Sequence, residues 1–482
     1  MTQNSAQAPL SAWGARGAVA SGHPLASWAA FDVLSRGGHA VEAAIAADAV
    51  LGVCEPMATG IGGDVLALVV SPDGQVTGLN GTGRSPSGLT AEALERATGG
   101  SRVPLRGPLS VTVAGAVAAW AMLHERFGRL PFHDLLAPAI GLARDGFPVG
   151  PIVAREWRRF ADVLRQDAEA TRVFRPDTPP EAGQRFANPD LAAALERIAR
   201  DGAEGFYQWL AEQAPPAVQA GGGVLAREDV LAHQGFFCEP LRQKHGPLEV
   251  VELPPNTHGI AVLHALESIG PEPVDLGEAA GLLRVVESVD DALEKARATV
   301  GDPGNTVATT VVDADGWGCT LMSSVFKRFG SGIAVPGGGF VLQNRAHGFA
   351  EPGHLNGVAP GRRPYHTVIP GAALRDGRPF AFFGLVGGNM QPQGHVQIVT
   401  RLIGGATDPQ AILDAPRFRV QNPKVIAVEE GIAPALRDAL AAAGYSVTVG
   451  GADFGGGQVI LRCDGGWAAG SDRRKDGIAL AF

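Results

Sequence analysis

A threonine at the head of a β-branched run constrains this chain more than any other feature. Thr306 follows Asn305 and leads a run that extends to Asp313, directly after a Gly/Pro break at residues 301–304. The run then turns at a short Asp-Gly segment and returns to Ser324. This pattern predicts a β-hairpin whose first strand has Thr306 at its start.

The position of Thr306 suits an N-terminal nucleophile. Cleavage of the Asn305–Thr306 bond would give Thr306 a free α-amine beside its own hydroxyl. That amine has a pKa near neutrality and can accept the hydroxyl proton, so nucleophile and base share one residue. An ordinary strand threonine that only fits a pleat accounts for the same local pattern. The choice between the two therefore depends on the rest of the chain.

Composition excludes several classes of function. With 482 residues and 45% hydrophobic side chains, the chain can bury a large core. The formal net charge is −9, and no basic block or aromatic–basic interleaving suggests nucleic-acid binding. Four widely spaced cysteines without a CxxC motif indicate thiols in a reducing compartment. No secretory signal and no membrane-spanning run are evident, so we expect a cytoplasmic protein without a membrane partner.

The order of the predicted elements indicates the fold class. Helical patterns dominate residues 24–54 and 132–213, whereas strands dominate after Thr306. In the second half we expect a strand at residues 335–343 and a helix at residues 395–404, among others. Two packed sheets with helices on their outer faces satisfy this order. The predicted fold is therefore α+β, a four-layer α-β-β-α sandwich.

Several polar or glycine positions are candidates for chemistry. Gly387 and Gly388 follow a buried strand, where two backbone N–H groups could hold an oxyanion, although a plain tight turn fits as well. Arg84 comes just after a strand end, where its planar fork could bind a carboxylate, and Arg345 is predicted to end a strand in the same way. Ser324 lies one return strand from the nucleophile and could hydrogen-bond to its hydroxyl.

Other chemistries find little support in the sequence. His366 and Thr367 place two polar side chains on a loop before a predicted strand. The histidines show no HExxH-like pairing, and no Walker loop or Gly-x-Ser-x-Gly elbow occurs. We therefore expect neither a metal nor a cofactor.

Taken together, these features resemble the γ-glutamyltransferase family of N-terminal-nucleophile hydrolases. The matching motifs run along nearly the whole chain, at residues 20–26, 37–44, 55–56, 60–63, 141–147, 253–255, 329–332, 414–418 and 471–474. The resemblance implies an α-β-β-α fold and acyl transfer to water or an amine. It also implies self-cleavage into segments 1–305 and 306–482, which would remain associated as one intertwined globular αβ heterodimer. By the same resemblance, we expect two such heterodimers to pair.

The resemblance also assigns roles to individual residues. Thr306 falls at the family's nucleophile, and Ser324 falls where the family has a supporting threonine. Gly387 and Gly388 fall at its oxyanion glycines, and Arg84 falls at its carboxylate-binding arginine.

The chain departs from the transpeptidases at substrate-binding positions. Phe326 replaces an asparagine that helps to bind substrate, and Arg345 and Gly348 replace a glutamine and an aspartate. The missing aspartate would bind the α-ammonium of a γ-glutamyl group. His366 and Thr367 replace a Ser-Ser pair that touches the α-carboxylate. The segment before the nucleophile is also shorter than the usual linker.

These departures favour an anionic substrate without an ammonium group. The pocket has two candidate arginines, and a buried ammonium without an acid beside it costs several kcal/mol. The sequence is therefore closer to the divergent, oxamate amidohydrolase-like branch, and we expect it to cleave an amide of a small carboxylate-bearing acyl group. A genuine γ-glutamyl hydrolase or transpeptidase, a cephalosporin-type acylase, a biosynthetic homologue and an uncleaved ligand-binding homologue stay open as alternatives.

Overall fold

The computed structural model of the chain describes residues 10–299 and 305–482. The Gly/Pro break at residues 301–304 lies outside the described residues, and Asn305 is described by its backbone. Within these ranges, runs of strands and runs of helices follow one another along the chain.

Most of the strands belong to two large sheets. The strands of the described residues are β1 (Ala12–Gly14), β2 (Ala18–Ser21), β3 (Asp64–Val70), β4 (Val76–Asn80), β5 (Phe147–Pro148), β6 (Arg185–Phe186), β7 (Phe236–Cys238), β8 (Leu241–His245), β9 (Leu248–Glu252), β10 (Asn305–Val312), β11 (Gly318–Phe326), β12 (Gly371–Arg375), β13 (Arg378–Val386), β14 (Phe418–Asn422), β15 (Val425–Val428), β16 (Ser446–Val449), β17 (Gly456–Cys463), β18 (Gly466–Ser471) and β19 (Ile478–Ala481). One sheet has the order β1-β18-β17-β13-β12-β9-β8, and the other has the order β19-β2-β10-β11-β3-β4-β7. We call them the β13 sheet and the β10 sheet.

Helices connect and cover these strands. In the described residues they are α1 (Pro24–Ser35), α2 (Ala40–Cys54), α3 (Ala91–Thr98), α4 (Ala116–Phe127), α5 (Phe132–Asp145), α6 (Pro151–Phe160), α7 (Ala168–Phe174), α8 (Pro189–Ala220), α9 (Arg227–Leu231), α10 (Gly259–Ile269), α11 (Ala279–Thr299), α12 (Met390–Ile403), α13 (Pro409–Asp414) and α14 (Pro434–Ala442). None of these helices combines the length and the apolarity needed to cross a bilayer.

Alternation along the strands separates the cores. In β3, Leu66 and Leu68 belong to a core that also contains Phe382 of the β13 sheet, so their side chains lie between the two sheets. Val65 and Ala67 belong instead to a core formed with α1, α2, α4, α5 and α8. One strand therefore contributes to two cores, because successive side chains point to opposite faces.

A third core covers the outer face of the β13 sheet. Phe383 and Leu385 of β13 pack there with apolar side chains of α10, α11, α12, α13 and α14. The layers therefore run helices, β10 sheet, β13 sheet, helices. This arrangement confirms the predicted four-layer α-β-β-α sandwich.

Three expected elements differ from the structure. The strand expected at residues 335–343 does not form, because Gly337 and Gly339 take positive φ and only an isolated bridge joins Ala334 to Val341. Helix α12 begins at Met390, five residues earlier than expected. A proline is tolerated there because the first turn does not need its N–H. In the helical region expected at residues 132–213, α8 contains a break at Gly202 and continues beyond residue 213 to Ala220.

Candidate active site

Thr306 is the second residue of β10, as the hairpin pattern predicted. Asn305 pairs with Phe326 and Val307 pairs with Ser323, so Thr306 lies opposite two residues of β11. This geometry is a β-bulge, which locally interrupts the ladder and re-aims the side chains beside it. The bulge lies directly beside the Asn305–Thr306 bond.

Three polar side chains point into the gap between the sheets at one end of the β10 sheet. Ala308 of β10 belongs to the inter-sheet core, and by alternation Thr306 lies on the same face. The same argument places Ser324 of β11 and Asp64 of β3 on this face, and these two residues pair with each other across the strands. All three side chains are buried, with Thr306 only 1% exposed.

Gln391 holds the Thr306 hydroxyl. Its Nε2 donates a hydrogen bond to Thr306 Oγ1 at 2.7 Å. Its Oε1 accepts from the backbone N–H of Ile369 at 3.2 Å, which fixes the orientation of the amide, because an N–H can only donate. Sequence reasoning missed Gln391, since the helix was expected to begin only at residue 395. The Gly-Gly-Asn sequence at residues 387–389 was the available signal for an earlier helix start.

The two candidate oxyanion glycines lie in the turn from β13 to α12. Gly387 and Gly388 have φ values of +115° and +65°, which L-residues with side chains rarely adopt. A Cβ on Gly387 would come within 3.0 Å of the Cα of Gly455. The carbonyl of Gly388 accepts from the backbone N–H of Gln391 at 3.0 Å, so the turn and the Thr306 contact belong to one short segment.

Ser324 connects β11, the strand paired with β10, to Arg345. Its Oγ accepts from the backbone N–H of Phe326 at 2.8 Å and from Nη2 of Arg345 at 3.1 Å. Phe326 itself has φ of +78°, an unusual conformation for a bulky residue, and its ring lies 4.3 Å from the guanidinium carbon of Arg345. The phenyl ring and the guanidinium therefore form a cation–π pair in the buried site.

Arg345 is fully buried with unused donors. It begins the 3₁₀ turn Arg345–Gly348 and does not end a strand, which corrects the expected local structure. Its Nε and Nη1 have no hydrogen-bond partner among the residues that the structure describes. Burial lowers the pKa of its guanidinium to about 9, against the opposing effect of Asp64. The side chain remains charged at neutral pH and can still donate to an anion.

A buried carboxylate and a neutral imidazole complete the site. Asp64 Oδ1 accepts from the backbone N–H of Gly83 and from Gln343 Nε2, both at 2.8 Å, and Oδ2 lies 3.3 Å from Nε2 of His366. The N–H of Val368 donates to Nδ1 of His366, which places the neutral imidazole's proton on Nε2, facing Asp64. Burial, followed by a nearby guanidinium, lowers the pKa of His366 to about 4. Sequence reasoning missed Asp64, although it follows a Gly-Gly pair at the start of a strand.

The remaining candidates lie at the edge of this group. Thr367 is buried, and its hydroxyl has no partner within the described ranges. Arg84 is exposed, and its Nη1 donates to the carbonyl of Gly361 at 2.9 Å. The structure therefore gathers Ser324, Phe326, Arg345 and His366 around one buried cluster, whereas the guanidinium of Arg84 is directed towards solvent.

The large open cavities lie away from this cluster. Two surface cavities of about 740 and 700 Å³ are lined by other residues, such as Arg16 and Arg401 respectively. The buried Thr306 hydroxyl is therefore not part of either open cavity. In the described part of the chain, no group of three His, Cys, Asp or Glu side chains is arranged to hold a metal ion.

Matches to known proteins extend along the whole chain. The sequence model described as Gamma-glutamyltranspeptidase matches residues 26–305 and 283–482. The oxamate amidohydrolase proenzyme of Klebsiella pneumoniae is 31% identical, and the alignment covers 97% of this chain and 98% of that protein. The glutathione hydrolase-like YwrD proenzyme of Bacillus subtilis is 29% identical, with 84% and 85% covered. The crystal structure of cephalosporin acylase from Bacillus halodurans superposes with a TM-score of 0.95 at 33% identity, covering 100% of this chain and 98% of that one.

Proposed function

The chain belongs to the γ-glutamyltranspeptidase family of N-terminal-nucleophile hydrolases, and from this premise we propose that it is a self-processing amidohydrolase with Thr306 as its nucleophile. The observation that carries the proposal is the buried Thr306 hydroxyl, which accepts a hydrogen bond from the first turn of α12 beside the Gly387-Gly388 turn. A merely structural strand threonine does not require a buried amide donor to its hydroxyl.

Self-processing is the first reaction in this proposal. Thr306 Oγ1 attacks the carbonyl carbon of Asn305, and the C–N bond between the two residues breaks as the acyl group moves to the oxygen. The α-amine of Thr306 is freed as this bond breaks and takes up the proton of the hydroxyl. Water then hydrolyses the ester, which releases the carboxylate of Asn305 and restores the Thr306 hydroxyl. The bulge at this bond supports the proposal, because it removes the regular ladder that would hold the peptide in an extended conformation.

Amide hydrolysis is the second reaction. The free amine of Thr306 takes the hydroxyl proton, and Oγ1 attacks the substrate carbonyl. The C–N bond of the substrate amide then breaks, the substrate's amine leaves, and an acyl-threonine remains. Backbone N–H groups of Gly387 and Gly388 stabilise the oxyanion of the tetrahedral intermediate. Water or an acceptor amine then releases the acyl group, and no cofactor or metal takes part. Ser324 supports Arg345 and the turn at Phe326 beneath the nucleophile.

The substrate class follows from charge and space. The two unused donors of Arg345 favour a carboxylate, because a buried guanidinium is stabilised by an anion that accepts from its planar fork. An acidic side chain at residue 348 would be tightly confined, since a Cβ on Gly348 would lie 3.0 Å from the carbonyl oxygen of Tyr365. We therefore propose an amide of a small carboxylate-bearing acyl group, with His366 and Thr367 lining the pocket and Arg84 at its rim.

A cephalosporin side-chain amide is the second candidate substrate. The close superposition on a cephalosporin acylase favours it, and the proposed nucleophile, oxyanion turn and carboxylate-binding arginine would serve either substrate.

A cytoplasmic location is part of the same proposal, because all four cysteines are free, as is usual in a reducing compartment.

Intact-mass spectrometry of freshly purified protein tests the nucleophile. We expect the wild-type chain to yield fragments 1–305 and 306–482 that co-elute in native gel filtration as a heterodimer. Thr306→Ala should remain a single chain with unchanged secondary structure. An intact wild-type chain would contradict the proposal and favour a ligand-binding protein.

The cleaved protein then tests the substrate class. Oxamate and other des-amino, carboxylated amides should be hydrolysed at least ten times more efficiently, as kcat/KM, than glutathione or a γ-glutamyl anilide, since one uncompensated buried ammonium costs at least about 1.4 kcal/mol. Faster turnover of glutathione than of its des-amino analogue would overturn the substrate assignment and leave the nucleophile assignment intact.

A further inference from the structure

We propose that Gln391 is a catalytic residue, which donates a hydrogen bond to the nucleophile oxygen both during self-cleavage and during amide hydrolysis. The inference rests on the proposed function of Thr306 and extends it to a residue whose side chain touches the reacting atom. The contact is short, at 2.7 Å between Gln391 Nε2 and Thr306 Oγ1, and both side chains are buried.

The amide orientation makes Gln391 a donor only. Its Oε1 is engaged by the backbone N–H of Ile369 at 3.2 Å, so the NH₂ group must face Thr306. A hydroxyl oxygen that accepts from this group keeps its own proton available for transfer to a base. Gln391 thus orients Oγ1 for attack without competing for the proton that has to leave.

The position of Gln391 strengthens this donation. It lies in the first turn of α12, where the helix macrodipole presents partial positive charge. As the proton of Thr306 leaves, negative charge grows on Oγ1, and an N–H already aimed at that oxygen stabilises it without reorganisation. The burial of the pair raises the value of this contact, because a low local dielectric strengthens it.

Gln397 provides a matched control on the same helix. It is also buried, and its amide is likewise anchored to a neighbouring backbone, with Nε2 donating to the carbonyl of Phe418 at 3.1 Å and Oε1 accepting from the N–H of Phe418 at 3.4 Å. Gln397 lies in the same helix, but its amide hydrogen-bonds to the backbone of Phe418 instead of to Thr306. Substitution of either glutamine should therefore perturb helix packing alike, but only Gln391 should affect the chemistry.

Self-cleavage rates and steady-state kinetics of Gln391→Met, Gln391→Glu, Gln397→Met and Gln397→Glu test the inference. We expect Gln391→Met to slow self-cleavage and to lower kcat, normalised to the cleaved fraction, by about 100-fold, the order found when one oxyanion donor is removed. KM should change less than about threefold, because the contact is made to the nucleophile and stabilises mainly the transition state. The Gln397 variants should cleave and turn over like wild type, with a similar fall in melting temperature.

The pH dependence of Gln391→Glu would not change if Gln391 had only a structural role. Its carboxylate still accepts from Ile369 but cannot donate to Thr306 until it is protonated. The ratio of variant to wild-type rates should therefore rise as the pH is lowered. A folded Gln391 variant that does not cleave at all supports the inference.

Three results would overturn the inference. These results are self-cleavage and turnover of Gln391→Met at wild-type rates, an equal loss of activity in the Gln397 variants, and a ratio of Gln391→Glu to wild-type rates that does not depend on pH. If the wild-type chain itself stays intact, the proposed function fails as well. Normal cleavage of both wild type and Gln391→Met would reject only the role of Gln391.

Discussion

Arg345 and Phe326 are the residues that we propose to determine what the buried site accepts. The guanidinium lies over the phenyl ring at 4.3 Å, donates to Ser324 and retains two N–H-bearing nitrogens without a partner in the described part of the chain. The nearby carboxylate of Asp64 is held through Oδ1 by Gly83 and Gln343, and its Oδ2 faces Nε2 of His366 at 3.3 Å. The site therefore offers hydrogen-bond donors for an anion and places its own carboxylate in structural contacts.

Substitution of Arg345 should selectively weaken binding of carboxylated substrates. We expect Arg345→Met to raise KM for a carboxylate-bearing amide by about 10- to 100-fold, equivalent to the loss of a charge-assisted hydrogen bond worth about 1.5–3 kcal/mol. Arg345→Lys should lie between this variant and wild type, because a lysine keeps the charge but loses the planar fork. Steady-state kinetics on the cleaved protein give both values.

Arg84 is the matched control for this prediction. Its guanidinium is exposed and donates to the carbonyl of Gly361, so Arg84→Met should change KM less than Arg345→Met does. A neutral amide of the same size should be nearly insensitive to either change. Equal losses on neutral and carboxylated amides would contradict a role of Arg345 in anion binding.

At the scale of single elements, α2 shows how local sequence anchors a buried helix. Every residue of α2 is buried, so its unsatisfied N-terminal N–H groups need protein partners. His39 Nδ1 accepts from the N–H of Val41 at 3.1 Å, and Glu42 accepts from the N–H of His39 at 2.7 Å, which forms a capping box. Asp313, just after β10, accepts from the N–H of Ala40 at 2.9 Å. The cap thus ties α2 to the hairpin that contains Thr306.

Loss of the α2 cap should destabilise the fold. We expect His39→Ala to lower the free energy of unfolding by about 1–2 kcal/mol, because the N–H of Val41 loses its acceptor. His39→Asn should recover most of this loss, since asparagine is a preferred N-cap. Chemical denaturation of uncleaved Thr306→Ala protein measures both without interference from processing. If the two variants lose the same stability, the imidazole acts through its packing against Phe127 and Trp317 instead.

At the scale of the whole molecule, the two segments on either side of Thr306 are interleaved in both sheets. In the β10 sheet, β2, β3, β4 and β7 precede the nucleophile, whereas β11 and β19 follow it. Since neither segment can complete a sheet alone, the fragments should stay associated after cleavage.

Buried histidines should make the whole fold sensitive to acid. Burial lowers the pKa of His23, His39, His233 and His366 to about 4, whereas unfolded histidines titrate near 6.5. Between these values the unfolded chain binds more protons, so the free energy of unfolding falls as the pH falls from about 6.5 to about 4. Burial also raises the pKa of Asp48 and Glu55 to about 6, which opposes this trend in the same range because the folded state then binds the extra proton.

We expect the histidine contribution to the pH dependence of the free energy of unfolding to exceed that of the carboxylates, because more imidazoles than carboxylates have pKa values shifted this far. The melting temperature of Thr306→Ala protein should therefore fall by several degrees or more between pH 7 and pH 4.5, since each pKa unit corresponds to about 1.4 kcal/mol. His39→Asn should reduce this dependence on pH, because it removes one titrating group and keeps the cap. A constant or rising melting temperature in acid would contradict the prediction.

The sequence by itself determined the layers, the hairpin and the family. Alternation in β3 and β10 and the glycine and proline boundaries of α1 and α2 are local patterns, so propensity and periodicity were sufficient to locate these elements. The expected strand at residues 335–343 failed because two positive-φ glycines bend an apolar run that the pattern could not distinguish from a strand. The order of motifs along the chain indicated the family, because many separate matches in one fixed order rarely arise by chance.

Only the tertiary structure decided which side chains surround Thr306. Gln391 and Asp64 are distant from it in sequence, and their approach depends on how β13, α12 and β3 pack against β10. By resemblance Arg84 was the carboxylate-binding arginine and Arg345 a second candidate, yet packing buries Arg345 completely and leaves Arg84 in solvent. Burial is a property of the assembled layers, and it determines which arginine must find its partner in a ligand. The sequence therefore supplied the reactive group, whereas the fold determined its neighbours.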